Sequence, residues 1–230
     1  MPQAYRNLTR LDHNQSKRSH MPKPKVLVAD DHVILAQGLS ALLRNDFELT
    51  GIARDGHELI ELAKTAKPDV IVTDISMPTL NGVDAVRQLQ SQGITAKVIV
   101  LTQHKDPQIA AEAFRAGVSG FLVKQAAGEE LVSAIREVLQ GRSYLTSLIA
   151  KDLITVLVSR PGEGGNGLTP RQREILQLFA EGKTAKEVAT SLKISVRTAE
   201  GHKYEIMEAL GVKTSAELVQ HAIRLGLIPV

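Results

Sequence analysis

Five residues stand where they could do chemistry together, each just after a short apolar run. Asp30 and Asp31 follow residues 26–29, Asp74 follows 70–73, Thr102 follows 98–101 and Lys124 follows 120–123. A further run, 49–53, ends in Arg54 and adds no obvious group. In an open parallel sheet, functional groups gather outside the carboxyl ends of the strands. Three carboxylates, a hydroxyl and an ammonium are therefore expected on one edge. Crowded carboxylates repel: two unit charges about 4 Å apart near a protein surface cost about 4 kcal/mol. Such a cluster calls for a cation, and oxygen donors without cysteine or histidine favour Mg²⁺. Mg²⁺ usually shares phosphate oxygens, and Lys124 and Thr102 are donors suited to the same oxygens. The set fits a phosphoryl group carried on a carboxylate, most simply Asp74, after attack on an activated donor. Plainer readings stand beside this one: Asp30 and Asp31 as helix caps, Lys124 as a surface lysine. The seven histidines show no ligand spacing, so no histidine metal site is expected.

The elements that must position these groups are legible in the hydrophobic pattern. The runs 26–29, 49–53, 70–73, 98–101 and 120–123 read as strands. Four of them are dense in Val, Ile or Leu without alternation, as strands buried on both faces should be. Amphipathic stretches at 33–44, 57–66, 83–92, 108–116 and 129–140 lie between or after them. Five β-α units imply a parallel sheet with helices on both faces and right-handed crossovers.

Composition bounds the rest. The chain has 230 residues, 43% apolar and 23% charged, an ordinary globular balance. Absence of cysteine excludes disulfides, thiol catalysis and Cys-based metal sites. No apolar run approaches the length of a membrane helix, and the N-terminus has no apolar core of a secretory signal. The expected location is the cytoplasm, with no membrane partner. Residues 1–24 carry five Lys/Arg against one Asp/Glu, 25–140 eleven against fifteen, and 141–230 twelve against nine. An acidic middle and a basic end suggest two jobs, the second on nucleic acid. Aromatics at 3% argue against a base-stacking single-strand binder.

Residues 1–24 read as a disordered tail, with Met21 as an alternative start. Residues 25–142 form the first domain, and 143–166 a linker with a helix at 147–159. Four glycines between 162 and 167 lack the Lys-Ser/Thr of a phosphate loop and read as flexible chain. Residues 167–230 form a small all-α domain of four helices. Thr169 with Gln172, Thr184 with Glu187, and Thr214 with Glu217 are capping boxes. Ser195 caps a third helix that stops at Gly211. The second and third helices, joined at Lys193 and Ile194, describe a helix-turn-helix.

On the helix from Val196, Ala199, His202, Ile206 and Leu210 share the core face. The outer face carries Arg197, Glu200, Gly201, Tyr204 and Glu208, with Lys203 at its edge. In a helix-turn-helix this face enters the major groove. Lys186, Arg197 and Lys203 are the phosphate candidates. Glu200 and Tyr204 can reach base edges, and Gly201 allows close approach of the backbone. Each of these also reads as a solvated surface residue. His202 reads more simply as a core histidine.

Both halves resemble known families. Residues 26–31 (Val-Leu-Val-Ala-Asp-Asp), 70–78 (Val-Ile-Val-Thr-Asp-Ile-Ser-Met-Pro) with Gly82, Leu101-Thr102, and Phe121 to Lys124 resemble the receiver domain of bacterial two-component response regulators. The resemblance implies a flavodoxin-like (βα)5 fold with a five-stranded parallel sheet. It implies Asp74 as phospho-acceptor, and Asp30, Asp31, Asp74 and the carbonyl of Ser76 as Mg²⁺ ligands. Lys124 and Thr102 would contact the phosphoryl group, and Phe121 would be the switch aromatic. Phe121 in an apolar run also reads as plain core. The chain departs from the family at Gln103 and His104, which would flank the phosphoryl group and tune water access, and at Gln125, where many receivers have proline.

Residues 168–212, including Thr169, Lys186, Ser195, Arg197, Thr198 and His202, resemble the LuxR-type helix-turn-helix. Here the departures are Ala199 and Glu200. Together the two halves imply the NarL/FixJ family: a transcription factor acting on double-stranded DNA, phosphorylated by a sensor histidine kinase. The last helix would serve a homodimer formed on phosphorylation. An aspartate-nucleophile phosphatase is the enzymatic alternative, but Ser76 stands where that chemistry wants a second Asp. A small-molecule-binding regulator and a constitutive dimerisation module complete the alternatives.

Overall fold

A computed structural model of the chain describes residues 22–103, 105–159 and 168–228. The expected tail up to Met21, the glycine-rich stretch 162–167 and His104 lie outside the described residues.

The strands are β1 (Lys25–Ala29), β2 (Glu48–Ala53), β3 (Val70–Asp74), β4 (Lys97–Thr102), β5 (Gly120–Val123) and β6 (Tyr144–Leu145). The helices around them are α1 (Val33–Leu43), α2 (Gly56–Ala66), α3 (Gly82–Ser91), α4 (Pro107–Arg115), α5 (Ala127–Leu139) and α6 (Ser147–Ser159). Strand order is β2-β1-β3-β4-β5-β6, all parallel. The expected five-stranded sheet thus has a sixth, two-residue strand at its edge. Tyr144 and Leu145 are too short a run to register as a strand by pattern, and pairing with β5 makes them one.

Period-two alternation sorts the side chains. Val26, Val28, Val70, Val72, Ile99 and Leu101 face Leu39 and Leu43 of α1 and Leu131 and Ile135 of α5. Leu27, Ile71, Val98, Val100 and Phe121 face α2, α3 and α4. Ile149 and Leu153 of α6 join this second layer, so α6 packs onto the sheet domain. Helix starts are marked by side-chain caps: Asp55 for α2, Asn81 for α3 and Asp106, followed by Pro107, for α4.

The C-terminal unit contains α7 (Pro170–Ala180), α8 (Ala185–Leu192), α9 (Val196–Leu210) and α10 (Ser215–Arg224). All three capping boxes are formed, and Ser195 caps α9. Lys193, at φ 54°, makes the tight turn of the helix-turn-helix. Ile175, Leu176, Val188, Ala199, Ile206, Leu218 and Ala222 form the core of this unit.

Candidate phosphoryl and nucleic-acid sites

Strand order reverses direction of growth at β1, so the ends of β1 and β3 lie side by side at a topological switch point, where ligands of such sheets bind. Asp30 leaves the end of β1 and Asp74 is the last residue of β3. Both are buried, at 1% and 4% exposure, whereas Asp31 is more open. Lys124, just past β5, reaches between them: Nζ lies 2.8 Å from Asp30 Oδ2 and 2.7 Å from Asp74 Oδ2. Ligand atoms of Asp30, Asp31, His32 and Asp74 all fall within 4.8 Å of one another.

His32 is a neighbour that spacing did not announce. Its Nδ1 is 2.9 Å from Asp31 Oδ1 and 3.2 Å from Asp30 Oδ1, and its backbone N–H donates to Asp30 Oδ1. The one available signal was its position directly after the acidic pair. The capping reading of that pair is overturned, because the N-cap of α1 is His32, with no side-chain cap bond. Lys124 as a plain surface lysine is overturned too, since its side chain is 7% exposed.

Electrostatics at this edge are one-sided. Three carboxylates face one ammonium, so two positive charges are wanting when all are ionised. Burial is the strongest influence on Asp74 and raises its pKa. Lys124 opposes that rise, while the charge of Asp30 adds to it. Burial alone would lower the pKa of Lys124, but Asp74 and Asp30 outweigh it and hold the ammonium above its usual value. Asp30 Oδ2 is buried and, among the described residues, finds no hydrogen bond of good geometry beside the Lys124 ammonium 2.8 Å away. A hard divalent cation with oxygen preference fits this donor set.

The loop after Asp74 is closely fitted. Gly82 N–H donates to Ile75 O at 2.8 Å, and a Cβ on Gly82 would stand 2.0 Å from Asp74 O. Thr102 and Phe121 are wholly buried, Phe121 within the second layer of the core. Ser76 is half-buried beside Asp74, and Gln103 is exposed.

On the second unit, Lys186, Arg197, Thr198, Glu200, Gly201 and Tyr204 are all exposed, Tyr204 to 71%. Lys203 is placed differently from the rest. It is half-buried, with Nζ 5.0 Å from the centre of the Phe179 ring and 3.4 Å from Ser215 Oγ. Its ammonium therefore lies against the domain itself. His202 is half-exposed and faces Glu205 at 3.3 Å, so it is not the enclosed core residue that its helix face suggested.

The two units touch through a polar stripe of α7 that the sequence reading did not single out. Arg173, Glu174 and Gln177 are buried. Arg173 binds both oxygens of Asp84, at 3.0 and 3.2 Å, and Glu112 at 2.7 Å. Gln177 accepts from Asn81 N–H and donates to Met77 O. Thr79 N–H donates to Glu181 Oε1. The outward face of α9 is left open by this docking.

Comparisons with known proteins agree on both units. The family described as "Response regulator receiver domain" matches residues 26–136, and "Bacterial regulatory proteins, luxR family" matches 166–222. The oxygen regulatory protein NreC of Staphylococcus carnosus is 33% identical over 89% of this chain and 99% of its own length. The transcriptional regulatory protein MctR of Rhizobium johnstonii is 33% identical over 90% of this chain and 96% of its own. Among solved structures, the RcsB response regulator of Salmonella typhimurium is 27% identical with a TM-score of 0.63, covering 89% of this chain and 99% of that one. With both domains matched in order and whole-length relatives at this identity, the chain belongs to the two-component response regulators of the NarL/FixJ family, a receiver domain joined to a LuxR-type helix-turn-helix.

Proposed function

We propose that this chain is a transcription regulator switched by a phosphoryl group on Asp74, taken from a sensor histidine kinase. The observation that carries the reading is the meeting of Asp30, Asp31, Asp74 and Lys124 at the switch point of the sheet. An Asp74 carboxylate oxygen bonds phosphorus as the P–N bond of a phosphohistidine breaks, and the electron pair stays on the imidazole nitrogen. Asp30, Asp31, Asp74 and the carbonyl of Ser76 would hold Mg²⁺. When bound, the ion neutralises charge on the phosphoryl oxygens. Lys124 already lies against Asp74 and supplies a fixed ammonium to the same oxygens. Thr102, at the end of β4, and Phe121, on β5 opposite Val100, are the residues through which the change would spread.

Double-stranded DNA is the second partner. Lys186 and Arg197 would bind phosphates, and Thr198, Glu200 and Tyr204 would meet the groove. Gly201 supports this reading: among the described residues beyond its own helix turn, a Cβ there would meet no atom within 4 Å, so nothing in the fold asks for glycine. Lys203 contributes through its position over Phe179 rather than as a free phosphate ligand. Phosphorylation would loosen the contact of α7 with the receiver and favour a homodimer. The chain's own chemistry is then confined to accepting and losing the phosphoryl group, and its place is the cytoplasm.

Gel-shift titration against genomic promoter fragments tests this. Acetyl phosphate with Mg²⁺ should tighten binding by the wild type and leave Asp74→Asn unchanged. An Asp74→Asn protein that responds equally would overturn the switch.

A further inference from the structure

The segment between Asp74 and α3 is both strained and handled by the other domain. Thr79 sits at φ 66°, a left-handed conformation unusual for a β-branched residue. Ser76 Oγ and Thr79 Oγ1 are buried and, among the described residues, find no hydrogen-bond partner. Such outliers persist only where surrounding structure holds them. Within the receiver the turn is closed by Leu80 N–H on Pro78 O at 2.8 Å, and α7 grips it from the other domain. Gln177 Nε2 donates to Met77 O at 2.8 Å, Gln177 Oε1 accepts from Asn81 N at 2.9 Å, and Glu181 Oε1 accepts from Thr79 N at 2.9 Å. Gln177 Nε2 also donates to Glu181 Oε1, tying the two side chains together. One amide orientation satisfies these partners: a carbonyl needs a donor and a backbone N–H needs an acceptor. Met77 and Thr79 lie three and five residues beyond the phospho-acceptor, and Met77 directly follows Ser76.

We infer that Gln177 and Glu181, residues of the DNA-binding domain, are positioning residues for phosphoryl transfer to Asp74, holding loop 75–82 in the geometry of the unphosphorylated chain. The inference rests on Asp74 being the acceptor and adds a direction. Docking of α7 stabilises the loop as it stands without the phosphoryl group. Coupling between two sites is reciprocal, so whatever undocks α7 raises the readiness of Asp74 to be phosphorylated. The DNA-binding domain thereby acts on the receiver, as well as the reverse.

Two substitutions separate the bonds. Gln177→Leu removes those that Gln177 makes and leaves Thr79 N–H on Glu181. Gln177→Glu keeps the acceptor for Asn81 N–H but turns a second carboxylate oxygen toward Met77 O and Glu181, where acceptor meets acceptor. The full-length proteins are incubated with Mg²⁺ and acetyl phosphate over a range of donor concentrations, and acid-labile phosphate is followed with time. Both variants should be phosphorylated about 5- to 10-fold faster at saturating donor, the lower end of couplings between distinct sites. The donor concentration for half-maximal rate should stay unchanged. General destabilisation of the DNA-binding domain would also undock α7, and hydrogen exchange tells it apart, because it would expose the Asn81 amide in both variants. Hydrogen exchange gives a reading that needs no phosphate: the amide of Asn81, which donates to Gln177, should lose protection in Gln177→Leu and keep it in Gln177→Glu. Wild-type rates in both variants, or slower ones, overturn the inference. Failure of the wild type to take phosphate while the exchange pattern holds would instead remove Asp74 as acceptor, and the inference with it.

Discussion

Arg173 of α7 closes on Asp84 of α3 with Nε 3.0 Å from one carboxylate oxygen and 3.2 Å from the other, and both side chains are buried. The same guanidinium reaches Glu112 on α4, while Arg87 holds Asp84 and Glu112 from the receiver side. Removing one partner of a buried ion pair costs about 3–5 kcal/mol, because the other charge stays uncompensated. In a docked pair of domains that cost is relieved by undocking. Arg173→Met should therefore enlarge the radius of gyration in small-angle scattering, with each domain still folded by circular dichroism. An unchanged radius would show that docking does not depend on this ion network.

Lys124→Gln leaves Asp30 and Asp74 facing each other without their shared ammonium. The loss should be about 3 kcal/mol, read as a lowered Tm. Mg²⁺ should then raise the Tm of the variant more than that of the wild type, since the ion has more charge to offset. Equal metal responses would contradict the electrostatic account of this edge.

At Gly201 folding and binding should part company. Among the described residues beyond its own helix turn, no atom would touch a Cβ there, so Gly201→Ala should gain about 1 kcal/mol of helix stability. The methyl group would stand on the outward face of α9 and obstruct close approach to a duplex. The expected result is a higher Tm with weaker DNA binding in gel shift. Equal or tighter binding would remove Gly201 from the interface.

Acid should loosen the helix-turn-helix through its capping boxes. Glu187 has a lowered pKa because it accepts from the backbone N–H of Thr184, and Glu217 because it accepts from those of Lys213 and Thr214. A carboxyl depressed in the folded state stabilises fully above its unfolded value, near 4.5 here, and loses that contribution as pH falls through the folded value. Glutamine keeps a capping bond without titrating. Glu187→Gln with Glu217→Gln should flatten the fall of Tm below the ordinary carboxylate value, followed by calorimetry. A slope as steep as the wild type's would place the acid sensitivity elsewhere.

Much of this architecture was legible because single residues carried strong local meaning. Strands buried on both faces leave runs such as 70–73, and the groups after them were read straight from chain order. Capping boxes at Thr169, Thr184 and Thr214 located three helix starts in advance. What escaped was tertiary. Tyr144 and Leu145 became a strand only by pairing with β5. His32 gave no spacing signal, and its role follows from the turn out of β1. Most instructive are Arg173, Gln177 and Glu181, spaced four residues apart along α7. Such a polar stripe reads as a solvated face, yet Gln177 is fully buried against the receiver. Periodicity marks which face of a helix avoids water through apolarity; it has no signature for a face buried by polar complementarity.

Every step of the proposed switch depends on Asp74 carrying a transferable phosphoryl group. Intact-mass spectrometry of the full-length protein, after incubation with Mg²⁺ and excess acetyl phosphate, measures this directly. The expected result is a single phosphoryl adduct that is lost on acid treatment and does not form on Asp74→Asn. No adduct under donor excess, or an equal adduct on Asp74→Asn, would contradict it.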